Sequence, residues 1–382
     1  MMSAETDWLA RARTFGPLIQ KYRDEAEYSR HMPRPLFEAL RDADFFRLWL
    51  PRYCGGPEMD MRTVLGVVEE LSRLDGATGW NVMIGTEGSA LAAYLPQETA
   101  RELFAPAHTV VAGSFQPKGV ATPVAGGYCV SGVWPLASGC AHATLLVGAC
   151  RVMEGGSART DANGAPDLQV CVMPAAACEV LDTWYTAGLR GTGSSDFRVT
   201  KAFVPQDRCF SLTQGPVVDP GSLYGAPPSV LFALPVSAVG LGIARAALDA
   251  FLELATDKVR LGGTSVLAQD GLVQTTMGRA EAQLRSARAF VLDIAEEMTS
   301  STAAEGQISP ETTALLALAA AHAAESATAV VTMLFKVAGA SAIYTSSRLE
   351  RCFRDVHMVT QHRVTNVFNF ETVGRHFLGV DP

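Results

Sequence analysis

The chain has 382 residues, of which 48% are hydrophobic and 18% are charged, so its composition allows a large buried core. The net charge of -8 and the pI of about 5.4 exclude the basic surface that a nucleic-acid-binding protein or a polybasic membrane anchor requires. The eight cysteines include no C-x-x-C pair, which favours reduced thiols and a cytoplasmic location.

Helical patterns occupy the first part of the chain. Residues 33–49 open on prolines typical of a first helical turn and continue with apolar residues at helical spacing. Residues 61–95 predict two helices with a break near Gly76 or Gly79. No basic segment followed by an apolar one opens the chain, so we expect no secretory signal. We predict an N-terminal helical domain over residues 1–110.

The middle of the chain predicts a β-domain over residues 111–215, because short apolar stretches with strand-type alternation follow one another there. Ala125, Gly126 and Gly127 join two alternating segments and predict a hairpin loop. Residues 153–167 are rich in Gly, Asn and Asp, so we expect an exposed loop between strands.

The helical period returns after a linker rich in Gly and Pro and defines a third domain over residues 225–382. Four long helices are predicted there, and long alanine-rich helices of this kind pack as a bundle. The most apolar of them contains His322, Glu325 and Lys336, so we expect it to be buried in protein rather than to cross a membrane. Its apolar surface also predicts an oligomer whose core includes this helix.

Several motifs are excluded by their context. The order of helices, sheet and helices does not alternate strand with helix, which argues against a Rossmann or TIM architecture. Gly240 and Gly242 resemble half of a dinucleotide motif, but they lie inside a helical pattern, where close helix packing explains them better. Residues 188–194 lack the Gly-Lys-Ser/Thr ending of a phosphate-binding loop. No Cys or His spacing is typical of zinc, so we expect no metal site.

Three stretches carry a family resemblance: GSFQPKGVATPVAGGYCVSGVWPLASGC over residues 113–140, TWYTAGLRGTGSSDFRV over residues 183–199, and RDVHMVTQH over residues 354–362 with the ending that follows it. Together with the domain order, they resemble the acyl-CoA dehydrogenase superfamily, and within it the oxygenase branch, the two-component flavin-dependent monooxygenases of group D. The resemblance implies a mainly α fold with a central β-domain: an N-terminal helical domain, a small β-barrel or sandwich, and a C-terminal four-helix bundle.

The resemblance also implies where a flavin binds. It places Trp134 beside or over the isoalloxazine ring, the hydroxyl of Ser138 near flavin N5 and C4a, and the backbone of Phe115 and Gln116 along the pyrimidine edge. From the residues alone, Trp134 has an alternative interpretation as a core residue of the β-domain, and Ser138 as a turn residue.

Three further residues are predicted to bind the cofactor by the same resemblance. Arg260 follows the first bundle helix, where the superfamily places an arginine for the flavin phosphate of a neighbouring subunit. Thr192 and Ser194 add hydroxyls near the cofactor. The alternatives are a solvated helix end for Arg260 and turn stabilisation for the two hydroxyls.

The catalytic candidates are histidines and the residues that keep their surroundings dry. His362 matches a histidine position of the oxygenase branch that faces flavin and substrate, and we rank it before His357 as the base, because histidine titrates near neutral pH. Trp80, Trp184 and Phe368 are candidates for the walls of a water-poor substrate pocket. The alternative for each of these residues is a structural role.

The function implied by the resemblance is oxygenation. Reduced FMN or FAD, supplied by a separate reductase, reacts with O2 through a C4a-hydroperoxide to hydroxylate a small aromatic, heteroaromatic or related substrate. The resemblance also implies a homotetramer and only transient contact with the reductase. No metal is needed.

A dehydrogenase of the acyl-CoA type is the first alternative function. Those enzymes use a glutamate in a Tyr-Glu-Gly element, but here Tyr344 is followed by Thr345, so the usual base for α-deprotonation is missing. Glu253 or Asp257 on the first bundle helix is a substitute base that keeps this FAD enzyme as an alternative. The second alternative is a catalytically silent scaffold with the same fold.

Overall fold

The structure, a computed structural model of the chain, describes residues 4–160, 164–211, 221–224, 231–259, 264–305 and 308–380. Helices come first in the chain, a single sheet follows, and helices return after it. This order confirms the predicted mainly α fold with a central β-domain.

Among the N-terminal helices, α5 packs against α4 and is buried along nearly its whole length. Asp60 and Asp75 cap α4 and α5 by accepting hydrogen bonds from the N–H groups of Thr63 and Thr78. Asp75 has extended dihedral angles and separates the two helices, one residue before Gly76. The helices are α1 (Ala4–Thr14), α2 (Gly16–Ser29), α3 (Arg34–Asp42), α4 (Met61–Leu74), α5 (Gly76–Ala90) and α6 (Gln97–Phe104).

The β-domain is one sheet in which the first and third strands are parallel and the other neighbours are antiparallel. Val124 pairs with Gly127 across a two-residue turn, which confirms the predicted hairpin. The strand order is β6-β7-β2-β1-β3-β5-β8, with β4 paired to β3 alone. The strands are β1 (Val111–Val124), β2 (Gly127–Trp134), β3 (Leu145–Glu154), β4 (Ser157–Ala158), β5 (Leu168–Pro174), β6 (Glu179–Leu181), β7 (Asp196–Pro205) and β8 (Cys209–Phe210).

The C-terminal helices form a bundle that packs on the N-terminal helices through its first long helix. A Cβ at Gly242 would collide with the carbonyl oxygen of Glu69 in α4, so this glycine lets two helices approach closely, as predicted. The helices are α7 (Gly221–Tyr224), α8 (Ala233–Asp257), α9 (Gly271–Glu305), α10 (Pro310–Ala338), α11 (Arg348–Val359) and α12 (Phe368–Phe377).

Within the described part of the chain, one segment, Pro310–Ala342, is long and apolar enough to cross a membrane by length and composition alone. It contains α10, which contacts α8, α9, α11 and α12, and 56% of its most apolar window is buried inside the protein. These contacts are those of a core helix in a bundle.

Candidate functional site

A chain of buried hydroxyl groups lies where the helices meet the β-domain. The indole N–H of Trp80 in α5 donates to the hydroxyl of Ser138 at 2.9 Å. The Ser138 oxygen lies 2.6 Å from that of Ser194, which lies 2.7 Å from that of Thr192. Thr192 donates to the carbonyl oxygen of Leu189 at 2.8 Å, so Ser194 donates to Thr192 and Ser138 donates to Ser194. The oxygen of Ser138 keeps one lone pair for a ligand.

Two turns bring these hydroxyls together. Gly139, with a φ of +74°, lies in the turn after β2, and its N–H donates to the carbonyl oxygen of Thr192 at 2.9 Å. Leu189 and Gly193 bracket the other turn in the left-handed region, with φ of 49° and 55°. The N–H of Leu189 donates to the carboxylate of Asp355 in α11 at 2.6 Å, which fixes this turn to the bundle.

Burial makes His362 a neutral histidine. Its ring meets the ring of Trp80 edge-on, with centroids 5.8 Å apart, and its Nδ1 has no hydrogen-bond partner among the described residues. Desolvation, together with the charge of Arg363, lowers the pKa of His362 to about 4. His362 was predicted to act as a base because histidine titrates near neutral pH. Its pKa lies below that range, so the imidazole is uncharged at neutral pH.

A wide bulge interrupts β1 after Ser114. Ser114 pairs with Gly148 and Gly119 pairs with Cys150, so residues 115–118 all lie opposite Ala149. Pro117, which has no N–H to donate, falls inside the bulge. The main chain of Phe115 and Gln116 therefore lies outside the ladder between β1 and β3, and both side chains are exposed.

Trp134 contacts the residue of β3 that lies opposite this bulge. Its side chain is fully buried, and its indole N–H donates to the carbonyl oxygen of Ala149 at 2.8 Å, the residue opposite the bulge. Its ring stacks on Phe197 with centroids 4.9 Å apart. A Cβ at Gly132 or Gly148 would lie 2.8 Å or 2.6 Å from the ring, so glycines make room for it.

These contacts correct the flavin-stacking role predicted for Trp134. The stack with Phe197 and the burial of the whole side chain leave no ring face for a cofactor, which matches the alternative interpretation as a core residue. The sequence alone could not separate the two, because a tryptophan at the end of a strand can point to either face of the sheet.

The other predicted residues lie in different surroundings. The Nδ1 of His357 lies 2.6 Å from the carbonyl oxygen of Phe353 in its own helix, as in a structural histidine. The indole of Trp184 donates to the carbonyl oxygen of Arg190 at 3.1 Å and so braces the turn that carries Thr192. Phe368 is 75% exposed on α12 and forms no pocket wall in the described chain. Arg260 lies outside the described residues.

Sequence reasoning missed two buried polar side chains. Asn81 donates to the carbonyl oxygen of Gly191 at 3.1 Å, but its Oδ1 has no partner among the described residues. It lines a cavity with Ser138, Gly139 and His142. The second is Glu87, also in α5. The sequence could have revealed both, because they are polar residues in a helix whose other residues are mostly small or apolar on every face.

The arrangement fits an isoalloxazine ring, which carries hydrogen-bond donors and acceptors along a flat edge. The acceptors that lack partners, Asn81 Oδ1 and one lone pair of Ser138, match ring N–H groups, and the bulge at 115–118 offers main chain outside the ladder. Ser138 and Asn81 are therefore groups of this chain that would accept hydrogen bonds from a flavin, and the role predicted for Phe115 and Gln116 stays a prediction.

Comparison with known proteins agrees with this fit. Residues 10–107 match the family profile described as acyl-CoA dehydrogenase, N-terminal domain, and residues 234–367 match the one described as acyl-CoA dehydrogenase, C-terminal domain. The indole-3-acetate monooxygenase of Pseudomonas putida is 33% identical, and the alignment covers 100% of this chain and 97% of the relative.

Solved structures of two further proteins superpose on nearly the whole chain. XiaF from Streptomyces sp., in complex with FADH2 and glycerol, has a TM-score of 0.90 at 25% identity and covers 99% of this chain and 96% of its own. The HsaA monooxygenase of M. tuberculosis has a TM-score of 0.89 at 26% identity and covers 100% of this chain and 99% of its own. These findings confirm the predicted resemblance.

The first prediction concerns the indole of Trp134. Replacing Trp134 by Phe leaves the buried carbonyl oxygen of Ala149 without its donor, so the variant should lose about 1–3 kcal/mol more of the free energy of unfolding than a matched control. That control is Trp49→Phe, because Trp49 is equally buried but its indole nitrogen has no partner among the described residues. Urea denaturation of both variants measures the difference. Equal losses would contradict the bracing role.

The second prediction follows from the lowered pKa of His362. The unfolded chain takes up a proton near pH 6.5 and the folded chain only near pH 4, so the free energy of unfolding should fall as the pH drops through this window. His362→Gln should remove roughly 3 kcal/mol of that loss between pH 6.5 and 4. The control His108→Gln, at an exposed position, should keep the wild-type dependence. If the free energy of unfolding of His362→Gln depended on pH as in the wild type, the pKa of His362 would not be lowered in the folded chain.

Proposed function

The chain belongs to the acyl-CoA dehydrogenase family and is a flavin-dependent monooxygenase within it, and from this premise we propose that it hydroxylates a small aromatic or heteroaromatic substrate with O2 and flavin reduced by a separate enzyme. The observation that carries the proposal is the buried hydroxyl chain from Trp80 to Thr192 with the uncharged His362 beside it. Indoles come first among the substrates we propose, because the relative with 33% identity is an indole-3-acetate monooxygenase.

Reduced flavin, when bound, supplies the two electrons with which one oxygen atom of O2 enters the substrate and the other leaves as water. The residues of the chain itself position the flavin and the substrate and exclude water. Because Trp80 and Ser194 fix the hydroxyl of Ser138, its free lone pair accepts from a ring N–H such as reduced flavin carries. Burial of Ser138 at 5% exposure keeps bulk water from that atom.

His362 contributes an uncharged imidazole to the same chamber. Its Nδ1, which has no partner among the described residues, is available to a polar substituent of the substrate, and the ring is held edge-on to Trp80. A neutral imidazole accepts or donates one hydrogen bond without placing a cation in a dry site. We therefore assign His362 to orienting the substrate through one hydrogen bond, and we place His357 outside the site.

The alternative of a dehydrogenase is not supported by the positions of its candidate bases. Glu253 and Asp257 both lie exposed on α8. Tyr344, in the segment where the dehydrogenases carry their glutamate, is 64% exposed. None of these positions brings a carboxylate near the hydroxyl chain, so no base for removal of an α-proton is provided there.

Assembly into a homotetramer remains part of the proposal. The exposed apolar side chains at the C-terminal end of the described chain support it, since they would be covered by another subunit. Phe368 is 75% exposed, Phe377 is 57% exposed and Leu378 is 79% exposed. We further propose a cytoplasmic location, because the eight free thiols stay reduced there and a separate flavin reductase can supply reduced flavin there.

The experiment that tests the proposed function is oxygen consumption. The purified protein should consume O2 and hydroxylate an indole only when FMNH2 or FADH2 is supplied, since we propose that reduction occurs on another protein. An oxygen electrode and product analysis by chromatography measure both. The proposal fails if the protein purifies with tightly bound FAD that an acyl-CoA bleaches in the absence of O2.

A further prediction concerns the role of Ser138. Ser138→Ala removes a fixed hydrogen-bond acceptor of about 1 kcal/mol, so the product formed per O2 consumed should fall about fivefold while H2O2 rises. The control is Ser237→Ala, because Ser237 is equally buried but donates to the carbonyl oxygen of Leu234 in its own helix. Assays of H2O2 and of product on both variants test this prediction. An unchanged yield of product per O2 consumed in Ser138→Ala would remove Ser138 from the site.

A further inference from the structure

Glu87 in α5 is a buried carboxyl group without an evident structural partner. The described residues contain four buried acids, and three of them have clear roles. Glu70 pairs with Arg73, Asp75 caps α5, and Asp355 accepts from the N–H of Leu189. Glu87 is only 8% exposed, and its Oε1 has no hydrogen-bond partner among the described residues. Burying such a group is costly, so folding alone does not explain it.

Burial also sets the protonation state of this group. Desolvation raises the pKa of Glu87 well above its usual value, since no described cation offsets it. Burial therefore favours the neutral form of the Glu87 carboxyl over the charged form. A neutral carboxyl offers one O–H donor and a carbonyl acceptor, and it does not attract a cation or a metal as a carboxylate would.

Helix geometry places Glu87 on the side of α5 that Trp80 occupies. Seven residues span almost two turns, so the two side chains leave the helix about 20° apart and roughly 10 Å apart along its axis. Ile84 lies between them and is the one residue of α5 that is not fully buried. Gly85 and Gly88 pack against Phe46 and Val111, so that flank of the helix is occupied.

From this placement we infer that Glu87 is a substrate-recognition residue, which accepts a hydrogen bond from the ring N–H of an indole-type substrate or the hydroxyl of a phenol. The inference rests on the proposed function, because it places the reacting ring between the Trp80 and Ser138 corner and Glu87. A neutral acceptor at this depth selects the uncharged edge of a ring. An acidic side chain of the substrate would lie elsewhere, since two carboxyl groups would repel or share a proton.

The test compares indole with 1-methylindole, which lacks the N–H, as ligands of the full-length protein with reduced flavin under anaerobic conditions. Calorimetric titration gives the dissociation constants without relying on turnover. The wild type should bind indole roughly 10- to 100-fold more tightly than 1-methylindole, the range that one buried hydrogen bond provides. Glu87→Leu should lose this preference, and Glu87→Gln, which keeps a carbonyl acceptor, should retain it.

Thr86→Val is the matched control, since the hydroxyl of Thr86 donates to the carbonyl oxygen of Phe45 on another side of the same helix. It should keep the wild-type preference for indole. Glu87→Leu should also raise the melting temperature of the free protein, because an unpartnered buried carboxyl is removed; a lower melting temperature would indicate a structural partner and overturn the inference.

The preference between the two ligands is decisive on its own. Equal binding of indole and 1-methylindole by the wild type, no binding of indole, or a preference that survives in Glu87→Leu would each overturn the role of Glu87. A wild type that binds indole with the expected preference but forms no hydroxylated product would leave Glu87 in place and contradict the proposed function instead.

Discussion

The hydrogen bond from the indole of Trp80 to the hydroxyl of Ser138 joins the N-terminal helices to the β-domain at the candidate site. Through Ser194 and Thr192 the same chain of hydroxyls reaches the turn at Leu189, and Asp355 ties that turn to the C-terminal bundle. The three parts of the molecule therefore meet at one small set of side chains. A buried polar network of this kind is stable only when its members are satisfied, so it specifies how the parts dock.

The cost of this network is visible in the groups that build it. Leu189 adopts a left-handed conformation that is unfavourable for a residue other than glycine, and the structure around it must enforce it. Desolvation raises the pKa of Asp355 to about 7, although its bond to the N–H of Leu189 opposes the shift. Such strain and desolvation are concentrated at functional sites, which agrees with the position of the hydroxyl chain.

The same architecture serves dehydrogenation in one branch of the family and oxygenation in another, and the difference lies in which acids and bases face the chamber. In this chain the acids Glu253 and Asp257 are exposed, whereas His362 is partly buried and uncharged and Glu87 is buried, which favours its neutral form. Uncharged donors and acceptors suit a chamber in which water must be scarce.

The sequence by itself determined the order of domains, the β-hairpin, the long bundle helices and the family, because these depend on local periodicity and on contiguous motifs. It also named Ser138, Thr192, Ser194, Trp80 and His362, which the structure brings together. Only the tertiary structure decided that Trp134 faces the core, that burial makes His362 neutral and that Glu87 has no partner in the described chain. Orientation, burial and partners depend on residues far apart in the sequence, and one chain read in order gives no distances between them.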